Sequence, residues 1–420
     1  MSKYLEYFMG AFDASVAEKI KPKNKPYVAY SKTEGVIYTV IPEPVVYDPY
    51  VTFTAEEDNS SIGLNKLSTN QTLEYSTDTT TWNTFDTTTN IPLNNGDKVY
   101  VRGVLSADNT SSNYTQFKMS GKIATSGNCN AIWNYQDLNT PLKEYCGFKM
   151  FSGCTSLTTA PELPTTTLAP YCYNIMFGGC TSLVQTPELP ATNLNSGCYQ
   201  SMFYGCTSLT TAPELPATTL ASSCYSIMFS GCTSLTTAPE LPATTLASNC
   251  YQSMFYKCSL ITTPDLPATT LADYCYSHMF QSCTSLTTAP ELRATMLAEG
   301  CYQAMFAGCT SLTTAPELPA TTLAKECYSG MFGDCTSLTT APELPATTLV
   351  YRCYRTIFSG CTSLNHITCL ATNISASGCT NRWVDGVSST GTFIKHPSMN
   401  DWTTGYNGIP SGWTVADAVI

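Results

Sequence analysis

Charge is what this chain has least of. Asp, Glu, Lys and Arg make up only 12% of its 420 residues, against about 25% in an ordinary globular protein. Its surface must therefore be largely neutral and polar, and threonine supplies it. Positive charge is scarcer still: 20 Lys and Arg stand against 31 Asp and Glu, a net charge of −11. That balance excludes nucleic acid, which needs clustered cations, and argues against attraction to an anionic membrane surface. No apolar run approaches the roughly 18 residues that span a bilayer, so membrane insertion is not expected. Histidine is limited to His278, His366 and His396, and no Cys-x-x-Cys occurs, which leaves zinc without a ligand set. No phosphate loop and no nucleophile–base pattern is present. The expectation is a non-enzyme with no cofactor.

The N-terminus, MSKYLEYFMGAFDASVAEKI, reads as a poor leader. Glu6 and Asp13 break its apolar stretch, and Lys3 is its only early cation. It fits a chain made for the cytoplasm or for a particle assembled there. Disorder is excluded by a 43% apolar and 11% aromatic content.

What the chain has in abundance is repetition. One unit reads CYSIMFSGCTSLTTAPELPATTLASN from Cys224, and its leading cysteine recurs at Cys146, Cys172, Cys198, Cys224, Cys250, Cys275, Cys301, Cys327 and Cys353. Every step is 26 residues except one of 25, after Cys258. Within a unit, Cys172, Met176 and Cys180 are spaced by four, as are Tyr173 and Phe177. That spacing predicts a narrow apolar stripe on a short helix ended at Gly179. Leu157, Ala160 and Leu163 then suggest a very short strand and a bend, since Pro161 and Pro164 cannot donate to a ladder. A lone unit cannot bury its apolar face, whereas stacked units shield one another. Strands spaced at about 4.8 Å and helices at about 8–10 Å would curve the stack, helices outward.

The order Met-Phe-x-x-Cys-x-x-Leu, then Leu-Pro, then Leu, resembles the BspA-type (Treponema-type) leucine-rich repeat, over about Cys146 to Thr372. This chain departs from the usual repeat in its greater length, in alanine where isoleucine is common, and in the extra cysteine. The resemblance implies an α/β leucine-rich-repeat solenoid and a role in surface adhesion or protein interaction.

Four regions follow: residues 1–48, 49–125, 126–372 and 373–420. Residues 126–372 carry the nine-unit solenoid. In 49–125, VTFTAEE, TLEYSTD, TTWNTF and DKVYVRG read as strands of a small all-β, sandwich-like domain, with Asn95-Gly96 as a hairpin turn. In 1–48, Tyr4, Phe8 and Phe12 lie on one stripe of an amphipathic helix, followed by a basic connector. This segment resembles N-terminal attachment segments on structural proteins of phages infecting Bacteroides-like hosts, including crAss-like phages, and so implies an anchor to other virion proteins. The alternative is that the helix simply packs on the β-domain. Residues 373–420, with Trp383, Phe393, Trp402 and Trp413, read as a cap on the last repeat, or alternatively as a ligand-binding aromatic cluster.

Three sets of side chains stand out. The cysteines, 21 in all, read mainly as small core residues. Cys172 and Cys180 would lie about 12 Å apart on a helix, and counterparts on neighbouring helices would be too distant to bridge. Glu162, Glu188, Glu214, Glu240, Asp265, Glu291, Glu317 and Glu343 form an acidic ladder along one edge. It is open whether that row is simply solvated, takes Ca²⁺ or receives a basic partner. Units differ mainly just before the leading cysteine and along the predicted helix. Tyr204, Tyr256, Lys257, Tyr274, Tyr351, Arg352 and Arg355 are thus candidate contacts for a specific partner. The uniform threonine wall would suit a repetitive polysaccharide. The expected role is a virion fibre-type protein that binds a host surface protein or glycan. The alternative is a bacterial surface adhesin or interaction scaffold. Self-association is left open.

Overall fold

The computed structural model describes Tyr27–Ser31, Val36–Val40 and residues 47–419. The chain forms two compact units, Met1–Asp48 and Pro49–Ile420. In the first, strands β1 (Tyr27–Ser31) and β2 (Val36–Val40) pair antiparallel, with Tyr27 opposite Val40. The anchor residues Tyr4, Phe8 and Phe12 lie outside the described residues.

The second unit opens with strands β3 (Val51–Ala55), β4 (Ser60–Lys66), β5 (Gln71–Ser76), β6 (Asn83–Thr84), β7 (Asn90–Leu93), β8 (Lys98–Leu105), β9 (Gln116–Ser120) and β10 (Ile123–Ser126). Alternation is clearest in β3 and β8. Val51, Phe53 and Ala55 on β3, and Val99, Val101 and Leu105 on β8, are all buried, and their neighbours are not. One sheet runs β11-β10-β3-β8-β5-β6, where β11 is Leu157–Thr159 of the first repeat, the other β7-β4-β9. Their inner faces meet where the Phe53 ring lies 5.1 Å from Phe117. The Asn95-Gly96 turn is real (Gly96 φ 88°), but it does not close a hairpin. It carries the chain from β7 in one sheet to β8 in the other.

The repeat region corrects the predicted helices. Among the described residues, the only α-helix is α1 (Ala131–Asn134), which lies ahead of the first leading cysteine. From each leading cysteine the chain makes a run of tight turns instead. Every fourth residue has positive φ, as at Tyr171, Ile175 and Gly179 (52°, 55° and 76°). Amides alternate in direction. Met176 N–H donates back to Tyr173 O (3.2 Å), whereas Tyr173, Ile175 and Phe177 N–H donate to Cys198, Gln200 and Met202 of the next unit (all 2.9 Å). An α-helix would spend those amides on its own carbonyls. Spending them on the neighbour ties successive units together through backbone. The strand side is sparser. After β11 (Leu157–Thr159), which pairs with β10, the bridges are single residues such as Thr219 to Thr245 and Thr237 to Thr262.

The rise per unit is correspondingly short. Tyr173, Tyr199, Tyr225, Tyr251, Tyr276, Tyr302, Tyr328 and Tyr354 form one buried file, in which the ring of Tyr199 lies 5.8 Å from that of Tyr225 with planes 5° apart. A phenylalanine file runs beside it, Phe203 lying 5.7 Å from Phe229. The helix spacing of about 8–10 Å, on which the expected curvature rested, is therefore absent. So is the distance argument against bridging cysteines in adjacent units. Each offset face-to-face pair adds about 0.5–1.5 kcal/mol beyond area burial.

Both ends of the array are finished by side chains that the repeat does not announce. Phe117 of β9 begins the phenylalanine file, 5.1 Å from Phe151 with planes 8° apart. Gly147 stands where later units have tyrosine, and a Cβ there would meet Trp133 of α1 and Tyr173, each at 3.2 Å. Trp133 takes up that space, and its indole N–H donates to Cys146 O (3.0 Å). At the far end a tenth turn run starts at Cys379, with positive φ at Gly378, Arg382 and Gly386. Trp383 covers Tyr354, and Trp402 stacks on Trp383 at 5.3 Å. Strands β12 (His366–Cys369), β13 (Thr392–Lys395) and β14 (Thr414–Asp417) close the array as a parallel sheet.

The tyrosine file contains a liability. The hydroxyls of Tyr173, Tyr199, Tyr225 and Tyr276 are buried without a hydrogen-bond partner among the described residues. Replacing one with an apolar isostere removes a desolvated group. Tyr225→Phe should raise unfolding free energy by about 1 kcal/mol in urea denaturation. A loss of stability would show that the hydroxyl is satisfied.

Candidate functional site: the outward rims of the stack

Two rims carry the residues that vary between units. The first lies just before each leading cysteine, and its side chains largely hold one another. Tyr274 donates its hydroxyl to Glu299 (2.7 Å), and Lys325 donates to the same Glu299 oxygen (2.7 Å). Arg352 reaches Glu326 at 3.5 Å. Tyr351, 37% exposed, has the Arg352 guanidinium 4.8 Å and the Lys325 ammonium 5.8 Å from its ring centroid. The hydrogen bond to Glu299 pushes the Tyr274 phenol up to about 12. Lys325 and Tyr274 in turn hold the Glu299 carboxyl below its usual range. Tyr274, Tyr351 and Arg352 thus join one ladder across four units rather than standing as separate contacts. The second rim closes each turn run. Tyr204 is 52% exposed there, and Tyr256 and Lys257 lie on the same rim, the ammonium 5.1 Å from the Tyr256 centroid. Arg355 is exposed between the rims.

The acidic ladder is exposed along its whole length. Arg293, standing where other units have proline, bridges Asp265 (3.2 Å) and Glu291 (3.0 Å). Among the described residues, no group of three or more His, Cys, Asp or Glu could hold a metal ion. Coordination of Ca²⁺ by the ladder would raise the melting temperature by several degrees at millimolar Ca²⁺ in differential scanning calorimetry, and an unchanged value would remove it.

Sequence reasoning missed two cation–aromatic sets on the β-region. Arg102 is held between Trp82 (3.8 Å) and Tyr135 (4.2 Å) and paired with Glu74 (2.8 Å). Lys66 and Lys149 share the Tyr114 ring at 4.3 and 5.8 Å. Only the alternation of β8, which turns Arg102 outward, hinted at either. A cavity of about 130 Å³ between β8, α1 and the following loop is lined by Trp133, Asn134, Asp137, Thr140 and Lys143, among others. It is smaller than the roughly 300 Å³ at which ligand pockets begin.

A family model for the BspA-type leucine-rich repeat region matches six copies, over residues 128–238, 197–313 and 299–381. The chain belongs to the BspA-type leucine-rich-repeat family. The match starts before Cys146 and ends after Thr372, where the structure adds partial units: Asn128 bridges to Glu162, and Cys379 opens a tenth run. No curated protein and no solved structure matches the chain.

The thiols of this BspA-type array are structural. All 21 cysteines are free and buried. From the second unit on, the second cysteine donates its S–H to a phenylalanine carbonyl one unit back, as from Cys206 to Phe177 (3.1 Å), and in the first unit Cys154 donates to Phe117 of β9. Burial pushes Cys206, Cys283 and Cys361 up to about 12 from their ordinary value near 9. Their folded pKa is raised, so the neutral thiol's contribution is complete below pH 9. It is lost as pH rises toward 12, because the unfolded chain gives up those protons first. The melting temperature should fall between pH 9 and 12, and a thiol-specific maleimide should label the native protein negligibly at pH 7 but fully in guanidinium. Rapid native labelling would contradict this packing.

Proposed function

We propose that the chain is a non-enzymatic adhesion or interaction protein in which the repeat array acts as a solenoid presenting its rims to a surface-borne partner. One observation carries the reading: the interior files are nearly invariant, whereas the rim side chains differ from unit to unit on a backbone fixed by inter-unit hydrogen bonds. A rigid frame with a variable edge lowers the ordering cost of binding. The family match supports the same reading.

In its finer form the proposal places the protein on a phage particle, with residues 1–48 joined to other virion proteins and the repeats directed at a host surface protein or glycan. Its support is the resemblance of that segment to phage attachment segments. A bacterial surface adhesin is the second reading, favoured by the family. Mass spectrometry of purified particles should find the chain at structural-protein abundance, whereas its presence only in cell envelopes would overturn the virion setting. The purified protein should also bind host cells or mucin saturably. Absence of binding to either would remove the adhesive reading.

A further inference from the structure

Tyr204 and Tyr256 hold the same place in units two apart, each being the sixth residue after a leading cysteine, Cys198 or Cys250. The turn runs in this stretch alternate: CYQSMFYGC, CYSIMFSGC, CYQSMFYKC, CYSHMFQSC. Gln200 and Gln252 flank Ser226, and Ser277 follows. Both serines are buried, whereas both glutamines are partly exposed. The sixth position does not share this alternation: Tyr204, Ser230 and Tyr256 are followed by Gln281 and Ala307.

The stacking rise sets the distance between the two tyrosines. Phe203, Phe229 and Phe255, the residues just before Tyr204, Ser230 and Tyr256, stack at rises of 5.7 and 5.8 Å. Tyr204 and Tyr256 are anchored two such rises apart. Ser230 between them is only 3% exposed, so no long side chain separates them. The backbone below is pinned, Gly205 N–H to Ser230 O (2.8 Å) and Gly231 N–H to Tyr256 O (2.7 Å). Lys257 is exposed and makes no ion pair among the described residues.

We propose that Tyr204, Tyr256 and Lys257 form a binding subsite for a linear acidic polysaccharide with a disaccharide repeat. This deepens the adhesive reading above and rests on it. A pyranose ring in a β-linked chain is close in length to one rise of the stack, so alternate sugars meet alternate units. The C–H bonds on the apolar face of a sugar are attracted to the negative face of an aromatic ring. Tyrosine adds a hydroxyl for the sugar's own hydroxyls. Two platforms two rises apart thus take every second sugar. Lys257 beside one platform selects a chain whose repeat carries a carboxylate.

Isothermal titration of the full chain with hyaluronan oligosaccharides, which alternate glucuronate and N-acetylglucosamine, tests this. Uncharged N-acetylglucosamine oligomers serve as the comparator. The native chain should prefer hyaluronan, and the preference should fade as salt rises. Tyr204→Ala and Tyr256→Ala should each weaken binding about tenfold without lowering the melting temperature. Lys257→Gln should erase the preference. Tyr406→Ala, at a tyrosine 57% exposed in the C-terminal region, should change nothing. Hyaluronan binding unaffected by either tyrosine substitution would overturn the subsite while leaving the adhesive reading intact. Equal affinity for the uncharged oligomer would overturn the acidic ligand. Failure of the native chain to bind either glycan would overturn the proposal, even with host-cell or mucin binding preserved.

Discussion

The architecture depends on where alternate amides in the turn runs send their hydrogen bonds. Because Tyr173, Ile175 and Phe177 donate to the next unit and not to their own, neighbouring units come within stacking distance. The aromatic files then follow: a ring in each unit lands on its counterpart, and the second cysteine's S–H meets a carbonyl one unit back. The cost is local. Positive φ at Ile175 and Ile227 is strained for β-branched residues, and it persists because every flanking amide is committed elsewhere.

Much of this was legible in the sequence. The period, the nine leading cysteines and the buried Tyr, Met, Phe and Leu follow from self-similarity alone. Four strands of the β-region, β3, β5, β6 and β8, follow from their composition, as at Val99 and Val101, whereas β4, β7, β9 and β10 were not read. The turn runs did not. Apolar pairs four apart, such as Cys172 with Met176 and Tyr173 with Phe177, satisfy a helix and a period-four turn run alike. The choice is made by bonds to residues some 25 positions away, which a local pattern does not contain.

The ends and rims were opaque for related reasons. Phe117 and Trp133 complete the first unit from sequence that shows no repeat motif, so only their position beside Phe151 and Gly147 reveals them. Tyr274, Tyr351 and Arg352 were identifiable as variable, but not as partners of Glu299, Lys325 and Glu326, because those contacts join separate units. Tyr204 and Tyr256 were identifiable as candidate contacts, but not as a spaced pair until the common rise set the interval between them.

The single short unit shows where such an array can change. Its missing residue falls between Cys258 and Leu260, yet both remain buried, and Thr262 still bridges to Thr237. The corner between turn run and bridge absorbs the change in length, while the laddered segments on either side keep their register. In lineages of such proteins, insertions and deletions should collect at that corner. It is also the place where a foreign peptide could be grafted with the fewest disturbed neighbours.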